Sequence, residues 1–453
     1  MSDRDRSAVD YDDAPLKPFH LRICVAGTGG VFADGFGLGI IGIALSLAAR
    51  PLELDAVWLG VIGGAALAGL FAGALLTGIA ADRYGRRRIF TWNMVVAGVL
   101  SASQFVVSSR LELTLVRLAI GFLLGTDYVV SKALLTECVP RRVRGRVLGT
   151  LSIAWAGGYA CAYAVGYVLR GFGPESWRWM LLASAVPCFL IVPLRLRMQE
   201  SPLWLATHGR LEEAAEIVRL RFGGQVRPPR SSGAPAADSA PTARPGRWRD
   251  LFSPRWRIRT FVGCTFFACQ VIPYFALGTF VTQVLAALHL KGSELGGLLY
   301  NLSLFIGAIV GLAVVDRLSR RAFLVGSFAA AAVTMLILTA WPDLGPALTI
   351  LLFAVFAGVL SAASNLVYVY LPELFATDLR ASGIGLSIAA SRIASAAGTF
   401  VLPVVVHAYG VRAALGACVA VLAIGGVCCY VWAPETRNVA LEGLDRASAA
   451  PAG

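Results

Sequence analysis

The sequence predicts an all-α membrane protein whose twelve transmembrane helices form two six-helix halves. Three observations lead to this prediction: an apolar composition, twelve long apolar runs and an internal repeat. Hydrophobic residues make up 57% of the 453 residues, charged residues only 15%, and the mean hydropathy is +0.70. Soluble domains carry about 25% charged residues and fewer apolar ones. A chain of this composition is therefore expected to have lipid as its solvent.

The apolar runs have the length of membrane-spanning helices, which need about 20 predominantly apolar residues. Six lie near 22–47, 57–80, 89–108, 113–136, 147–170 and 177–196, and six more near 257–285, 293–315, 321–341, 345–369, 382–408 and 410–433. The runs lack the two-residue alternation of a membrane β-barrel, so helices are predicted. Gly60, Gly64, Gly69 and Gly73 are interpreted as positions where two helices pack closely.

These runs divide the chain into five predicted parts. They are an N-terminal tail (1–21), a first half (22–196), a central segment (197–256), a second half (257–433) and a C-terminal tail (434–453). The first tail has no apolar signal core and is expected to remain in the cytoplasm. The central segment is expected to begin with a helix capped by Ser201 and Pro202, followed by an apolar stripe of Leu211, Ala214, Ala215 and Val218. Its later stretch "PPRSSGAPAADSAPTARPG" (228–246) is a disordered linker by composition.

The charge pattern indicates membrane orientation. A formal charge of +13 would suggest nucleic acid as a partner, but the basic residues form short clusters between apolar runs. The clusters follow runs two, four, six and eight, which predicts that both termini and the central segment are cytoplasmic. Nucleic-acid binding is therefore excluded. Nine cysteines without a CxxC pattern and four scattered histidines predict neither a disulfide framework nor a metal site nor a cofactor.

Two pairs of motifs reveal an internal repeat. "GIAADRYGRRR" (78–88) recurs as "GLAVVDRLSRR" (311–321), so that Asp82 matches Asp316, 234 residues later. "ECVPRRVR" (137–144) recurs as "ELFATDLR" (373–380), so that Glu137 matches Glu373, 236 residues later. Nearly equal offsets indicate the duplication of a six-helix half, and parallel halves with a site between them are typical of transporters.

These motifs give the chain a resemblance to the major facilitator superfamily and, within it, to the sugar porter-like metabolite:proton symporters. The stretch "RLAIGFLLGTDY" (117–128), "QESPLWL" (199–205), "YLPELFATDLR" (370–380) and "PETRN" (434–438) resemble further family signatures. Gln199 and Leu203 replace the usual proline and arginine, and Ser319 replaces a glycine. The resemblance covers the chain beyond the N-terminal tail and implies the major facilitator fold.

The resemblance also implies a set of charged residues that open and close the cytoplasmic side. The set consists of Asp82, Arg86, Glu137, Arg144, Glu200, Asp316, Arg320, Glu373, Arg380 and Glu435. Charge-assisted pairs at helix ends can bridge helices in one conformation and separate in the other. The alternative is that these are solvated loop charges that set topology.

Three charges inside the predicted helices are candidates for proton coupling: Asp34, Asp127 and Arg117. A buried ionisable group is costly and indicates function unless it pairs structurally with a neighbouring helix. The resembled symporters have the first-helix pattern D-G-Y-D, in which the second aspartate often carries the proton. Here the pattern is Asp34-Gly35-Phe36-Gly37, so that carboxylate is missing. For Arg117, the alternative is that it extends to the membrane edge.

The candidate substrate-binding residues are Gln270, Tyr274, Asn301, Asn365, Trp155, Arg392 and Lys132. Amides and flat aromatic faces suit sugars and carboxylates, and cations favour an anionic metabolite. The alternatives are that the amides join helices and that Lys132 extends to the surface or pairs with Glu137.

Together the resemblance and the residues predict a secondary transporter rather than an enzyme. It is expected to take up a small polar metabolite, such as a sugar, a sugar acid or another organic anion, by proton symport and alternating access. Its partners would be the lipid bilayer, the substrate and protons, and we expect a monomer in the cell (inner) membrane. No GxxxxGK[ST] motif and no nucleophile–base or metal constellation is visible. The alternatives are proton-driven efflux of a drug-like compound, or a membrane receptor or enzyme on the same fold.

Overall fold

A computed structural model describes residues 9–222, 226–228, 248–288, 293–315, 317–341, 344–375 and 379–436, and at residues 78, 79, 82, 248, 293 and 381 it describes the backbone alone. Within these ranges, twelve helices are long and apolar enough to cross a membrane. The predicted fold class is thereby confirmed. The predicted linker (228–246) and most of the C-terminal tail lie outside the described residues.

The first six helices are α1 (Pro18–Ala48), α2 (Ala56–Tyr84), α3 (Arg86–Ser103), α4 (Arg110–Cys138), α5 (Arg141–Leu169) and α6, which consists of two segments (Ser176–Ala183 and Ala185–Leu196). The second six are α7 (Arg257–Ala287), α8 (Ser293–Val314), α9 (Arg320–Ala340), α10 (Pro346–Ser364, continued by Leu366–Glu373), α11 (Arg380–Tyr409) and α12 (Val411–Trp432). Between the halves lie two short helices, Pro202–Thr207 and Leu211–Phe222.

Local sequence explains several helix ends. α1 begins at Pro18, earlier than the predicted 22, because proline is well suited to the first helical turn. α4 begins with a capping box, in which the backbone N–H of Glu112 donates to Ser109 Oγ at 3.2 Å and the backbone N–H of Ser109 donates to the Glu112 carboxylate at 3.3 Å. Gly85 separates α2 from α3 with a φ of +93°, a conformation that favours glycine.

The two halves repeat the same packing. In the first half α1 packs against α5 and α2 against α4, and in the second half α7 packs against α11 and α8 against α10. The halves meet where α2 contacts α11 and where α5 contacts α8, which are equivalent pairs under the repeat. The repeat found in the motifs therefore extends to the whole bundle, with a pseudo-twofold interface at its centre.

Glycines bring helices close together, both within the first half and between the two halves. A Cβ atom at Gly73 of α2 would overlap the backbone carbonyl of Phe122 in α4, and one at Gly60 would overlap the carbonyl of Phe400 in α11. By contrast, a Cβ atom at Gly37 of α1 would meet nothing within 4 Å.

Replacing Gly73 with alanine should therefore lower the thermal unfolding temperature of the purified protein in detergent. The methyl group must push α4 away, and overpacking costs about 1–3 kcal/mol. Gly278→Ala is the matched control, since Gly278 of α7 is buried and a Cβ atom there would meet nothing within 4 Å. Equal unfolding temperatures for the two variants would show that close packing at Gly73 does not contribute to stability.

The central segment packs under the first half together with part of the N-terminal tail. Val9 forms a parallel bridge with Val226, and the rings of Tyr11 and Phe19 lie 6.0 and 5.7 Å from that of Phe222. In the predicted apolar stripe of this segment, Ala214 and Val218 are buried, but Leu211 is 47% exposed.

Candidate functional site

A cavity lies between the two halves, at the centre of the bundle. Its empty volume is about 590 Å³, including the part that opens to solvent. Its walls come from α4, α5, α7, α10 and α11, through Tyr128, Ser152, Trp155, Phe267, Gln270, Val271, Tyr274, Phe275, Ser364, Val367, Tyr368 and Arg392. Apolar and aromatic walls with a few convergent polar groups are typical of sites for small molecules.

Two cations meet over the aromatic rings of this cavity. The Lys132 Nζ lies 3.5 Å from the ring centre of Tyr128 and 4.6 Å from that of Tyr368. The Arg392 guanidinium carbon lies 5.2 Å from the ring centre of Tyr128, and its side chain is 5% exposed. Among the residues that the structure describes, neither cation forms an ion pair with a carboxylate. Lys132 does not contact Glu137, which was the alternative considered for it.

The predicted polar and aromatic residues divide into two groups. Gln270, Tyr274 and Trp155 line the cavity, and the Gln270 amide also donates to the Leu360 carbonyl at 3.1 Å. Asn301 and Asn365 are not among the lining residues. Asn365 joins helices instead, and Asn301 bonds within its own helix.

The Asn301 amide donates to the carbonyl of Gly297, one turn earlier in α8, at 2.8 Å. Asn365 joins the halves, because its Oδ1 accepts from Ser152 Oγ of α5 at 2.9 Å and its Nδ2 donates to the Ala308 carbonyl of α8 at 3.2 Å. The structure therefore favours the helix-joining alternative for Asn365, whereas Asn301 bonds within its own helix.

A buried ion pair joins α4 to α6. Both side chains of Asp127 and Arg195 are fully buried, and Arg195 donates from two nitrogens to the two carboxylate oxygens of Asp127, one of these bonds being 3.0 Å long. Ser131 Oγ donates to the same carboxylate at 3.0 Å, and Arg195 also donates to the Phe90 carbonyl at 2.8 Å. The sequence analysis missed Arg195, because "RLR" at the end of the sixth run has the appearance of a basic helix end.

Asp34 lies beside this pair on α1. Its side chain is 2% exposed, and its Oδ2 has no hydrogen-bond partner among the described residues. Gly30, one turn earlier on α1, lies directly against the pair, since a Cβ atom there would be 2.6 Å from the Asp127 Oδ2. Gly35, the next residue along the chain, packs against the backbone carbonyl of Trp155, which lines the cavity. Three predicted helices thus bring two carboxylates and one guanidinium together near the cavity wall.

Among the described residues, no group of three His, Cys, Asp or Glu side chains could hold a metal ion.

Arg117 is fully buried and does not extend to the membrane edge. Its Nη1 donates to the backbone carbonyl of Gly37 at 2.8 Å. It forms no ion pair with Asp34, Asp127 or any other carboxylate of the described residues. The predicted role of Arg117 as the partner of a coupling carboxylate therefore has no contact to support it.

The charged residues at the cytoplasmic helix ends form one cluster in each half. In the first half, Arg86 Nε donates to the Glu137 carboxylate at 3.2 Å, and Glu200 Oε1 accepts from the backbone N–H groups of Arg86 and Arg87, both at 3.1 Å. A carboxylate at the first turn of α3 also complements the helix dipole.

The second half repeats this cluster. Arg320 Nε lies 3.6 Å from Glu373 Oε2, and Glu435 accepts from the backbone N–H groups of Arg320 at 3.0 Å and Arg321 at 3.2 Å. None of these contacts crosses from one half to the other, because each joins helix ends of one half to each other or to the segment that directly follows that half. The two clusters therefore brace the two halves separately.

The remaining predicted gating residues are arranged differently. Arg144 pairs with Asp12 of the N-terminal tail at 2.9 Å, and its counterpart Arg380 donates to the Pro372 carbonyl at 3.1 Å. Sequence reasoning did not identify Asp12. The side chain of Asp82 and all of Asp316 lie outside the described part of the structure.

Two pseudosymmetric six-helix halves around a central cavity define a secondary transporter of the major facilitator class. The model of the family described as "Sugar (and other) transporter" matches residues 23–447, and the chain belongs to this family. It is 38% identical over 435 residues to the inner membrane metabolite transport protein YgcS of Escherichia coli, with 96% of each chain covered. It is 27% identical to the niacin transporter NiaP of Acinetobacter baylyi, with 86% of this chain and 88% of NiaP covered.

The fold is also that of solved transporters. The xylose transporter XylE from E. coli, in a partially occluded inward-open conformation, gives a TM-score of 0.76 at 17% identity, with 93% of this chain and 100% of XylE covered. The protein is therefore a multi-pass integral membrane transporter for metabolites.

Proposed function

We propose that this transporter takes up a small organic anion, such as a sugar acid, together with protons. The observation that carries the proposal is a pair of cations at a cavity whose described walls contain no carboxylate. Arg392 lines the cavity, and Lys132, which does not line it, lies over the rings of two lining residues, Tyr128 and Tyr368. Charge-assisted hydrogen bonds from such cations suit a carboxylate, and the rings of Trp155 and Tyr274 suit the flat or ring-shaped part of the same molecule. The relative NiaP is named as a niacin transporter, and XylE is named as a proton:xylose symporter.

Alternating access is supported by contacts at one end of the bundle. At the end opposite the central segment, Arg170 pairs with Glu294 at 2.7 Å and joins the two halves. A Cβ atom at Gly42 of α1 would be 2.5 Å from the Thr279 carbonyl oxygen of α7, and Gly60 lies against the Phe400 carbonyl of the other half. The arginine distribution predicts cytoplasmic termini, so this closed end would face away from the cytoplasm and the cavity would communicate with the cytoplasm. The cavity is complete within one chain, which supports action as a monomer in the inner membrane.

Proton carriage is assigned to Asp34 in this proposal. Asp127 has its counter-ion in Arg195, whereas Asp34 has a buried carboxylate oxygen without a partner. A bare carboxylate is costly inside the membrane, so Asp34 is expected to hold a proton in this conformation.

Proton flux in proteoliposomes tests the substrate class. A pH-sensitive dye inside the vesicles should report acidification when sugar acids or aromatic acids are added outside, and little change with neutral sugars. Arg392→Gln and Lys132→Gln should each raise the KM for the active acid roughly tenfold or more, because a hydrogen bond to a charged group contributes about 1.5–3 kcal/mol.

Arg412→Gln is the matched control, because Arg412 is exposed at the start of α12, outside the cavity. Flux with neutral sugars alone would contradict the anion proposal. Alkalinisation on addition of a substrate would favour the proton-driven efflux alternative, and the absence of flux with every solute would contradict symport.

A further inference from the structure

We infer that Arg117 and the open space beside Gly37 form a second anion-binding site, separate from the central cavity. The site lies within the first half, between α1 and α4. Arg117 is fully buried, and its Nε and Nη2 have no hydrogen-bond partner among the described residues. A buried guanidinium with unused donors requires a counter-ion, because removing a charge from water without a partner is costly.

The protein itself supplies no such counter-ion in the described residues. The ion pairs of the described residues do not include Arg117, and within these residues its side chain donates one hydrogen bond, to the neutral carbonyl of Gly37. The side chain within electrostatic reach is Tyr159, a neutral phenol that is 1% exposed. Asp34 interacts with Asp127 and Arg195 instead.

Open space lies at Gly37, the residue of α1 whose carbonyl accepts the hydrogen bond from Arg117. Gly37 is buried, yet a Cβ atom built on it would meet no atom within 4 Å. The neighbouring glycines differ, since a Cβ at Gly39 would lie 2.9 Å from the backbone of Tyr159 and one at Gly35 would overlap the carbonyl of Trp155. The open volume is therefore specific to position 37 and lies where α1 receives the hydrogen bond from Arg117.

The bound anion should be small. Arg117 and Gly37 do not line the central cavity, so the site does not share its volume, and Tyr159 lies beside them. Chloride and a carboxylate group share the required chemistry, which is a single negative charge that accepts hydrogen bonds from a guanidinium. Binding would neutralise Arg117 and fix α4 against α1.

Thermal unfolding of the purified full-length protein in detergent tests this site without reference to the transported substrate. Sodium chloride or sodium acetate replaces sodium methanesulfonate at constant ionic strength and pH. The wild-type Tm should rise saturably with chloride or with acetate. A chloride response identifies an inorganic anion, and a response to acetate alone identifies a carboxylate.

The comparison of Gly37→Asp with Gly37→Asn isolates the charge, because the two side chains have nearly the same size. The aspartate should pair with Arg117, raise the Tm in methanesulfonate above that of the asparagine variant, and weaken the anion response at least tenfold. Gly37→Asn should keep most of the response, and Arg117→Gln should lose it. The inference is overturned if neither ion raises the wild-type Tm, or if Gly37→Asp responds as Gly37→Asn does.

Discussion

Asp34→Asn is expected to abolish the accumulation of substrate against its gradient while leaving substrate exchange across the membrane intact. Asparagine has the shape of a protonated aspartate but cannot release the proton. The variant should therefore bind substrate and change conformation, but the pH gradient can no longer drive it. The internal substrate concentration should reach the external concentration and stop there.

Uptake and counterflow in the same proteoliposomes separate these two effects. Concentrative uptake is measured with an imposed pH gradient, and counterflow is measured with preloaded substrate and no gradient. Asp127→Asn is the informative comparison, because Asp127 is the other carboxylate of the cluster and is held by Arg195 and Ser131. If Asp34→Asn still accumulates substrate and Asp127→Asn does not, the proton carrier is Asp127 and not Asp34. Concentrative uptake by both variants would place coupling elsewhere.

The fold could be predicted from the sequence because lipid imposes strong rules. Each membrane-crossing segment must satisfy its own backbone hydrogen bonds, so long apolar runs become helices. The motif offset that linked Glu137 to Glu373 also anticipated the matching clusters around Arg86 and Arg320, with similar contacts to Glu200 and Glu435.

The site could be predicted only in part, because the direction of a side chain depends on helix rotation and packing. Gln270 and Arg392 reach the cavity, but Asn301 turns to its own helix and Asn365 holds α5 and α8. Composition gives no means to distinguish these outcomes, because each residue is a polar group in an apolar run.

Arg195 is a site residue that the sequence did not reveal, again because helix rotation decides where a side chain points. Arg195 and Arg197 are two residues apart at the end of α6, and both would serve as basic residues at a membrane edge. In the structure, Arg195 is fully buried against Asp127, while Arg197 is exposed. Two residues correspond to about 200° of rotation on a helix, so adjacent arginines can face opposite environments.

Arg195→Gln should be among the most destabilising single substitutions in the membrane bundle. It leaves the buried carboxylate of Asp127 without its cation and removes the hydrogen bond to the Phe90 carbonyl. Breaking a buried pair by removing one partner typically lowers the free energy of unfolding by about 3–5 kcal/mol. A large drop in the thermal unfolding temperature in detergent is expected.

Arg197→Gln is the matched control, because it makes the same chemical change two residues away on an exposed side chain. It should leave the unfolding temperature nearly unchanged. The double variant Asp127→Asn/Arg195→Gln should recover part of the stability lost in Arg195→Gln, because it removes the unpaired charge together with its partner. Equal losses in Arg195→Gln and Arg197→Gln, or additive losses in the double variant, would show that the ion pair does not stabilise the first half. A stable Arg195→Gln variant that still transports would show that Asp127, which is fully buried between α4 and α6, is protonated or meets another cation in that variant.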